Sequence, residues 1–78
     1  MSTQILSPLP GTFYRKPSPD EAPFKEVGDE VAKGDVIGIV EVMKVFREVQ
    51  ADEDGTITEF LVANEDDVMA GQPLVVLA

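Results

Sequence analysis

An internal repeat is the feature that most constrains the fold of this 78-residue chain. Residues 31–37 (VAKGDVI) align with residues 68–74 (VMAGQPL) at a constant offset of 37, and each copy places a Gly at the point where the chain must reverse. Repeated units of this size cannot bury their apolar faces alone. We therefore expect two similar halves that pack against each other around a pseudo-twofold axis.

The two halves differ by an insertion in the first one. Phe24 falls on Leu61 at the offset of 37, whereas Gly11-Thr12 falls on Gly55-Thr56 at an offset of 44. The first half therefore holds seven more residues between Tyr14 and Phe24 than the second half does. The extra residues lie in the segment 15–23, whose three prolines cannot donate hydrogen bonds to a sheet and have largely fixed φ angles. This pattern predicts a stiff projecting loop.

Short runs of β-forming residues between turn residues indicate an all-β chain. The predicted strands are residues 3–6, 11–14, 24–26, 35–40, 45–50, 55–62 and 74–77, with one further short strand around Val31 or Val68. Turns that tolerate positive φ are expected at Gly28-Asp29, Asp54-Gly55, Gly34 and Gly71. Two such halves favour a flattened barrel or sandwich of two antiparallel sheets.

Composition excludes several classes of function. The chain has no His, Cys or Trp, so it lacks an imidazole base, a thiolate nucleophile and the usual zinc ligands, and we expect no catalytic residues and no metal site. Its net charge of −9 argues against a nucleic-acid partner. We also expect no membrane span or signal peptide, and therefore a cytoplasmic protein that occupies residues 1–78 as one domain.

A lysine between the halves is the candidate functional residue. Glu41, Val42, Met43, Lys44 and Val45 lie between two apolar strands, with room only for a tight turn that places Lys44 at its tip. A single lysine on a turn is most often a solvated charge.

The residues around this turn resemble the biotinyl domains of biotin carboxyl carrier proteins. That family has a Glu-Ala-Met-Lys-Met turn, which residues 41–45 (EVMKV) match at three of five positions. The segments SPLPGTFYR (7–15) and PSPD (17–20) also resemble the family's first strands and its thumb, a loop typical of the carriers of bacterial and plastid acetyl-CoA carboxylases. The thumb coincides with the insertion at residues 15–23. The resemblance covers residues 7–77.

The resemblance implies a fold, a cofactor and a set of partners. It implies two four-stranded antiparallel sheets and a biotin covalently attached to Lys44 by a biotin protein ligase. The chain would be a non-catalytic carrier that moves biotin between a biotin carboxylase and a carboxyltransferase, in the acetyl-CoA carboxylases of fatty acid biosynthesis. Glu41, Val42, Met43 and Val45 would form the biotinyl turn, and Lys16, Pro17, Ser18 and Pro19 would form the part of the thumb that reaches biotin.

The sequence departs from the family pattern at three positions, and alternative functions are open beside the resemblance. Val42 replaces Ala, Val45 replaces the second Met, and Lys16 stands where the family often has Thr. The alternatives are a biotin carrier of another carboxylase, a lipoyl carrier domain, and an unmodified hairpin domain. Lipoyl domains typically modify the lysine of Asp-Lys-Ala, and Met43 in place of that Asp favours biotin.

Overall fold

The computed structural model describes residues 3–78, which form eight β-strands. The strands are β1 (Thr3–Leu6), β2 (Gly11–Tyr14), β3 (Glu30–Val31), β4 (Val36–Val42), β5 (Val45–Gln50), β6 (Gly55–Phe60), β7 (Asp66–Val68) and β8 (Pro73–Leu77). They make two four-stranded sheets with strand orders β1-β8-β6-β3 and β5-β4-β2-β7. Every strand pair is antiparallel, which confirms the predicted fold class.

The strand order shows that the sequence repeat is a structural repeat. Each strand of the first half has an equivalent four strands later: β1 corresponds to β5, β2 to β6, β3 to β7 and β4 to β8. Exchanging equivalent strands converts the order of one sheet into the order of the other. Each sheet consequently takes two strands from each half, so neither half completes a sheet on its own. The halves are interleaved, and their separation would break backbone pairing as well as apolar contacts.

The turns repeat in the same way. Gly34 and Gly71 occupy equivalent positions and have φ angles of 94° and 80°, as the sequence predicted. Gly28 and Glu65 are also equivalent, with φ angles of 97° and 70°. The Gly28 amide donates to Ile57 O, and the Glu65 amide donates to Phe13 O. Equivalent backbone hydrogen bonds therefore hold this turn in both halves, although the second half has Glu where the first has Gly.

The core also follows the repeat. It contains the buried side chains Ile5, Phe13, Val31, Ile37, Val40, Val49, Ala51, Ile57, Val68, Leu74, Val75 and Leu77. Ten of these residues are equivalent to one another under the repeat, at offsets of 44 or 37 residues. The other two are equivalent to buried residues of another type: Ala51 corresponds to Ser7, and Val75 corresponds to Gly38. Because full burial of a large aliphatic or aromatic side chain stabilises by about 1.5–3 kcal/mol, this paired core is the main source of stability.

Position 38 requires a Gly because the Phe13 ring packs directly against it. A Cβ at Gly38 would lie 2.5 Å from Phe13 Cε1 and 2.9 Å from the Tyr14 carbonyl oxygen. The first half thus combines a large and a minimal residue, Phe13 and Gly38, where the second half combines Ile57 and Val75. Both combinations fill equivalent positions of the same core.

Several predicted strand limits were wrong. Residues 24–26 form no strand, because their backbone closes the neck of the inserted loop: the Phe24 amide donates to Arg15 O, and the Arg15 guanidinium donates to Lys25 O. Both Val31 and Val68 lie in strands, where only one was expected. Val31 and Val68 are equivalent under the repeat, so both halves form a short strand at this position.

The remaining differences concern strand ends and one turn. The strand predicted over residues 35–40 spans Val36–Val42, the one predicted over 55–62 ends at Phe60, and the one predicted over 74–77 begins at Pro73. Gly55 begins β6 and has no positive φ angle, contrary to the prediction for Asp54-Gly55. Its role is close approach instead, since a Cβ there would lie 3.0 Å from Ala78 O. No helix within residues 3–78 is long and apolar enough to cross a membrane.

The Phe13 and Gly38 pair gives a test of the repeated core. We expect Gly38→Val to lower the free energy of unfolding by about 3 kcal/mol or more, because the new methyl groups overlap the buried Phe13 ring. The double variant Phe13→Ile/Gly38→Val copies the second half and should recover part of that loss. Urea unfolding measures both values. A double variant as unstable as the sum of its two single variants would contradict the equivalence.

Candidate functional site

The turn between β4 and β5 is a two-residue hairpin loop. Val42 and Val45 are the last paired residues, and Met43 and Lys44 form the loop with φ angles of 51° and 67°. Positive φ at both positions defines a type I′ turn, whose twist matches that of the flanking strands. Such turns favour Asn-Gly, and a left-handed conformation costs other residues roughly 1–2 kcal/mol each. The long antiparallel pairing of β4 with β5 compensates this strain.

The tip of the hairpin is open to solvent. Met43 is 91% exposed, and Val45 and Phe46 are 60% and 62% exposed. Lys44 is exposed too, and within residues 3–78 its ammonium group takes part in no ion pair. A lysine held by a tight turn with a free terminal nitrogen is accessible to an acylating enzyme.

The base of the hairpin is fixed by β2. Val42 packs against the core, and the Tyr14 hydroxyl donates a hydrogen bond of 3.1 Å to Glu41 Oε1. This hydrogen bond, together with partial desolvation and the charges of Glu41 and Glu65, raises the pKa of Tyr14. The phenol therefore stays protonated and keeps donating at neutral pH. Glu41 is thereby held beside the turn as an oriented acceptor.

A cleft opens beside the hairpin, on the outer face of the β5-β4-β2-β7 sheet. It has a volume of about 610 Å³. Its lining residues are Tyr14, Lys16, Pro17, Ser18, Pro19, Ile39, Glu41, Phe46, Asn64 and Glu65. The cleft thus has an apolar floor supplied by the sheet and a polar rim.

The inserted loop forms one wall of this cleft. All four of its predicted site residues, Lys16, Pro17, Ser18 and Pro19, line the cleft together with Glu41 of the turn. Within the loop, the Glu21 amide donates to Ser18 O. The prolines and this internal bond keep the wall in place.

Arg15 anchors the loop at its base. Its guanidinium carbon lies 4.0 Å from the centroid of the Phe60 ring, a cation–π contact, and its backbone amide donates to Asn64 Oδ1. The Nη2 atom of the guanidinium donates to Lys25 O at 3.5 Å. The contacts join the loop to β6 and to the turn before β7, so the position of the wall depends on both halves of the molecule.

The structure separates the predicted site residues into two groups. Glu41 and the four loop residues share the cleft, whereas Val42, Met43, Lys44 and Val45 lie outside its lining, at the hairpin itself. Sequence reasoning missed Tyr14, Ile39, Phe46, Asn64 and Glu65 as lining residues. Alternation along β4 could have found Ile39, because it must point, like Glu41, away from the core that holds Val40.

The strained turn gives a second test. Met43→Asn should raise the free energy of unfolding by about 0.5–1 kcal/mol, because Asn adopts positive φ more readily than Met. Met69→Asn is the matched control, since Met69 is also exposed but has an ordinary φ angle, and it should give no such gain. Chemical denaturation of both variants measures the difference. Equal effects of the two substitutions would show that the Met43 conformation is not strained.

Comparison with known proteins places this geometry in a family. The family model described as "Biotin-requiring enzyme" matches residues 3–77. The biotin carboxyl carrier protein of acetyl-CoA carboxylase 2, chloroplastic, of Arabidopsis thaliana is 47% identical over 95% of this chain and 29% of its own length. The biotin carboxyl carrier protein of acetyl-CoA carboxylase of Streptococcus pyogenes is 55% identical over 91% of this chain and 43% of its own length. The chain thus spans less than half the length of these relatives.

Solved structures show the same fold within much larger proteins. The Kluyveromyces lactis urea carboxylase matches all of this chain with 6% of its own length, at a TM-score of 0.80 and 29% identity. A single-chain, multi-domain long-chain acyl-CoA carboxylase matches 96% of it with 7% of its own length, at a TM-score of 0.79 and 21% identity. With the family model matched over almost its whole length, this chain belongs to the biotin-requiring enzyme family.

Proposed function

We propose that this chain is the biotin carrier of an acetyl-CoA carboxylase, with biotin attached through an amide to Lys44. The observation that carries the proposal is the exposed type I′ turn, which presents the Lys44 ammonium group at the tip of a rigid hairpin. The chain supplies attachment and presentation, and performs no bond chemistry of its own. Bound biotin contributes a ureido nitrogen that accepts and releases a carboxyl group.

Rigid presentation fits the needs of the proposed partners. A biotin protein ligase has to find one lysine among several, and a turn with fixed backbone angles presents Lys44 in a single direction. Amide formation removes the ammonium charge, so the tip becomes neutral and can enter a partner's active site. A tethered arm also keeps its cargo at an effective concentration on the order of millimolar for the next site.

The residues that flank Lys44 have separate roles in this proposal. Val42 and Val45 close the hairpin as its last pair and are stiff at χ1, so they fix the base of the arm. Met43 is almost fully exposed and supplies an adaptable contact to partners. Glu41, which accepts a hydrogen bond from Tyr14, lies next to the turn and lines the cleft.

The cleft fits the head group of biotin. Its floor of Tyr14, Ile39 and Phe46 is apolar and suits the ring carbons and sulfur, while Ser18 and Asn64 offer groups that can bond a urea. A volume of about 610 Å³ lies within the usual range of small-molecule sites. We propose that Lys16, Pro17, Ser18 and Pro19 act as a thumb over a biotin that folds back from Lys44.

Acetyl-CoA as acceptor is supported by the names of the relatives and by the thumb. Carriers of acetyl-CoA carboxylases from a plant and a bacterium match 95% and 91% of this chain, a span that extends to both sides of the loop at residues 15–23. The acceptor of another carboxylase is the alternative, since the fold also occurs in a urea carboxylase. The partners that follow are a biotin protein ligase, a biotin carboxylase and a carboxyltransferase. Some relatives are chloroplastic by name, so the cytoplasmic location stays a prediction.

Attachment of biotin at Lys44 is the direct test. Incubation with biotin, ATP and a biotin protein ligase should add one biotin to the chain, because only Lys44 lies on the strained tip. Intact-mass spectrometry should show a single adduct that Lys44→Arg abolishes and that Lys33→Arg, a change at an exposed turn lysine, retains. An adduct on Lys44→Arg, or no adduct on the original chain, would refute the proposal.

The thumb and the acceptor are tested together in a reconstituted carboxylase. The biotinylated chain, mixed with the two partner enzymes, ATP and bicarbonate, should support carboxylation of acetyl-CoA. Excision of residues 16–22 should leave the sheets folded, since the second half makes the equivalent connection without an insertion, but should lower turnover through loss of the cleft wall. Unchanged turnover would remove the thumb from the function, and loss of the folded state in thermal unfolding would make it structural.

A further inference from the structure

Among the described residues 3–78, Lys16 is the only cation that lines the cleft. Two acidic residues, Glu41 and Glu65, line the same cleft, and Lys16 is half-buried. Within residues 3–78 it forms no ion pair, since the Lys25 and Asp35 pair lies elsewhere. A long basic side chain that is drawn into a cleft without an ion-pair partner is available to a ligand.

Both carboxylates are already engaged by neutral donors. The Tyr14 hydroxyl donates to Glu41, and the Asn64 amide lies 3.4 Å from Glu65 Oε2. They make the cleft unfavourable for an anion, and the net charge of −9 adds to that effect over the whole surface. An anionic group could remain in the cleft only beside Lys16.

We propose that Lys16 gives the cleft a preference for the carboxylated state of the biotin head, by pairing its ammonium group with the carboxylate of the carried carboxyl group. This inference rests on the proposed function. Attachment at Lys44 removes one cation from the tip, and loading with a carboxyl group then adds an anion to the arm. Lys16 is the positioning residue that distinguishes the loaded arm from the empty one.

The reach of the arm allows this pairing. Glu41 and Phe46 are cross-strand partners that line the cleft, and they lie three and two residues from Lys44. At about 3.4 Å per residue along a strand, the cleft begins roughly 7–10 Å from the tip. The lysine methylenes, the amide and the valeryl chain of biotin together span such a distance.

Pairing with Lys16 should lengthen the life of the cargo. In spontaneous loss, the bond from the ureido nitrogen to the carboxyl carbon breaks, carbon dioxide leaves, and the electron pair stays on nitrogen, which takes a proton from water. Negative charge leaves the carboxylate as this bond breaks. An ammonium group beside the carboxylate therefore stabilises the loaded state more than the transition state.

The test measures loss of label from the loaded carrier. The biotinylated chain is charged with ¹⁴C-bicarbonate and ATP by a biotin carboxylase, separated from that enzyme, and followed at neutral pH. First-order loss should be about two- to fivefold faster for Lys16→Gln, the range for a partly exposed ion pair. Lys16→Arg should restore the slow rate. The control Lys33→Gln makes the same change in net charge outside the cleft and should leave the rate unchanged.

The outcomes separate this inference from the function on which it rests. Absence of a biotin adduct by intact mass would refute the proposed carrier. A normal adduct and normal labelling, with equal rates of loss for the original chain and Lys16→Gln, would overturn the role of Lys16 alone. Equal acceleration by Lys33→Gln and Lys16→Gln would also overturn it, because the effect would then come from net charge.

Discussion

Burial of one apolar face by another is the interaction on which the rest of this structure depends. The chain has no disulfide, and the residues that the structure describes form no helix, so the two sheets have only each other to cover their apolar faces. Because each sheet takes two strands from each half, the contact between sheets is also the contact between halves. Closure of the core and pairing of the strands therefore stabilise each other, which suits a domain of this small size.

This arrangement explains how a short chain holds a strained turn. The Met43-Lys44 loop has an unfavourable backbone conformation at both residues, and it is maintained by six paired positions between β4 and β5 and by the buried Val40 and Val49 beneath them. The equivalent point in the other sheet lies beyond the pairing of Thr3 with Leu77, at the limit of the residues that the structure describes. Within residues 3–78 the repeat therefore produces this hairpin once.

Much of the fold followed from residues whose constraint is local and repeated. Gly34 and Gly71 were predictable because a Gly at a chain reversal marks positive φ, and the aligned apolar positions marked the core. Residues 24–26 were not predictable as a loop neck, since their apolar and charged pattern is that of a strand. Their conformation depends on Arg15, which is distant in sequence and acts through contacts with Lys25 and Phe60.

The same limit applies to the site, and it has a physical cause. Lys44 could be proposed from the sequence because attachment would require one exposed residue, and a turn between two strands can be read along the chain. The cleft could not be found in that way, because its lining comes from β2, β4, β5, the inserted loop and the turn before β7. Tyr14 and Phe46 read as ordinary strand aromatics until sheet register places them on one face. Lys16, where the related family often has Thr, cannot be interpreted from the sequence alone, because only the folded chain brings its positive charge into the same cleft as Glu41 and Glu65.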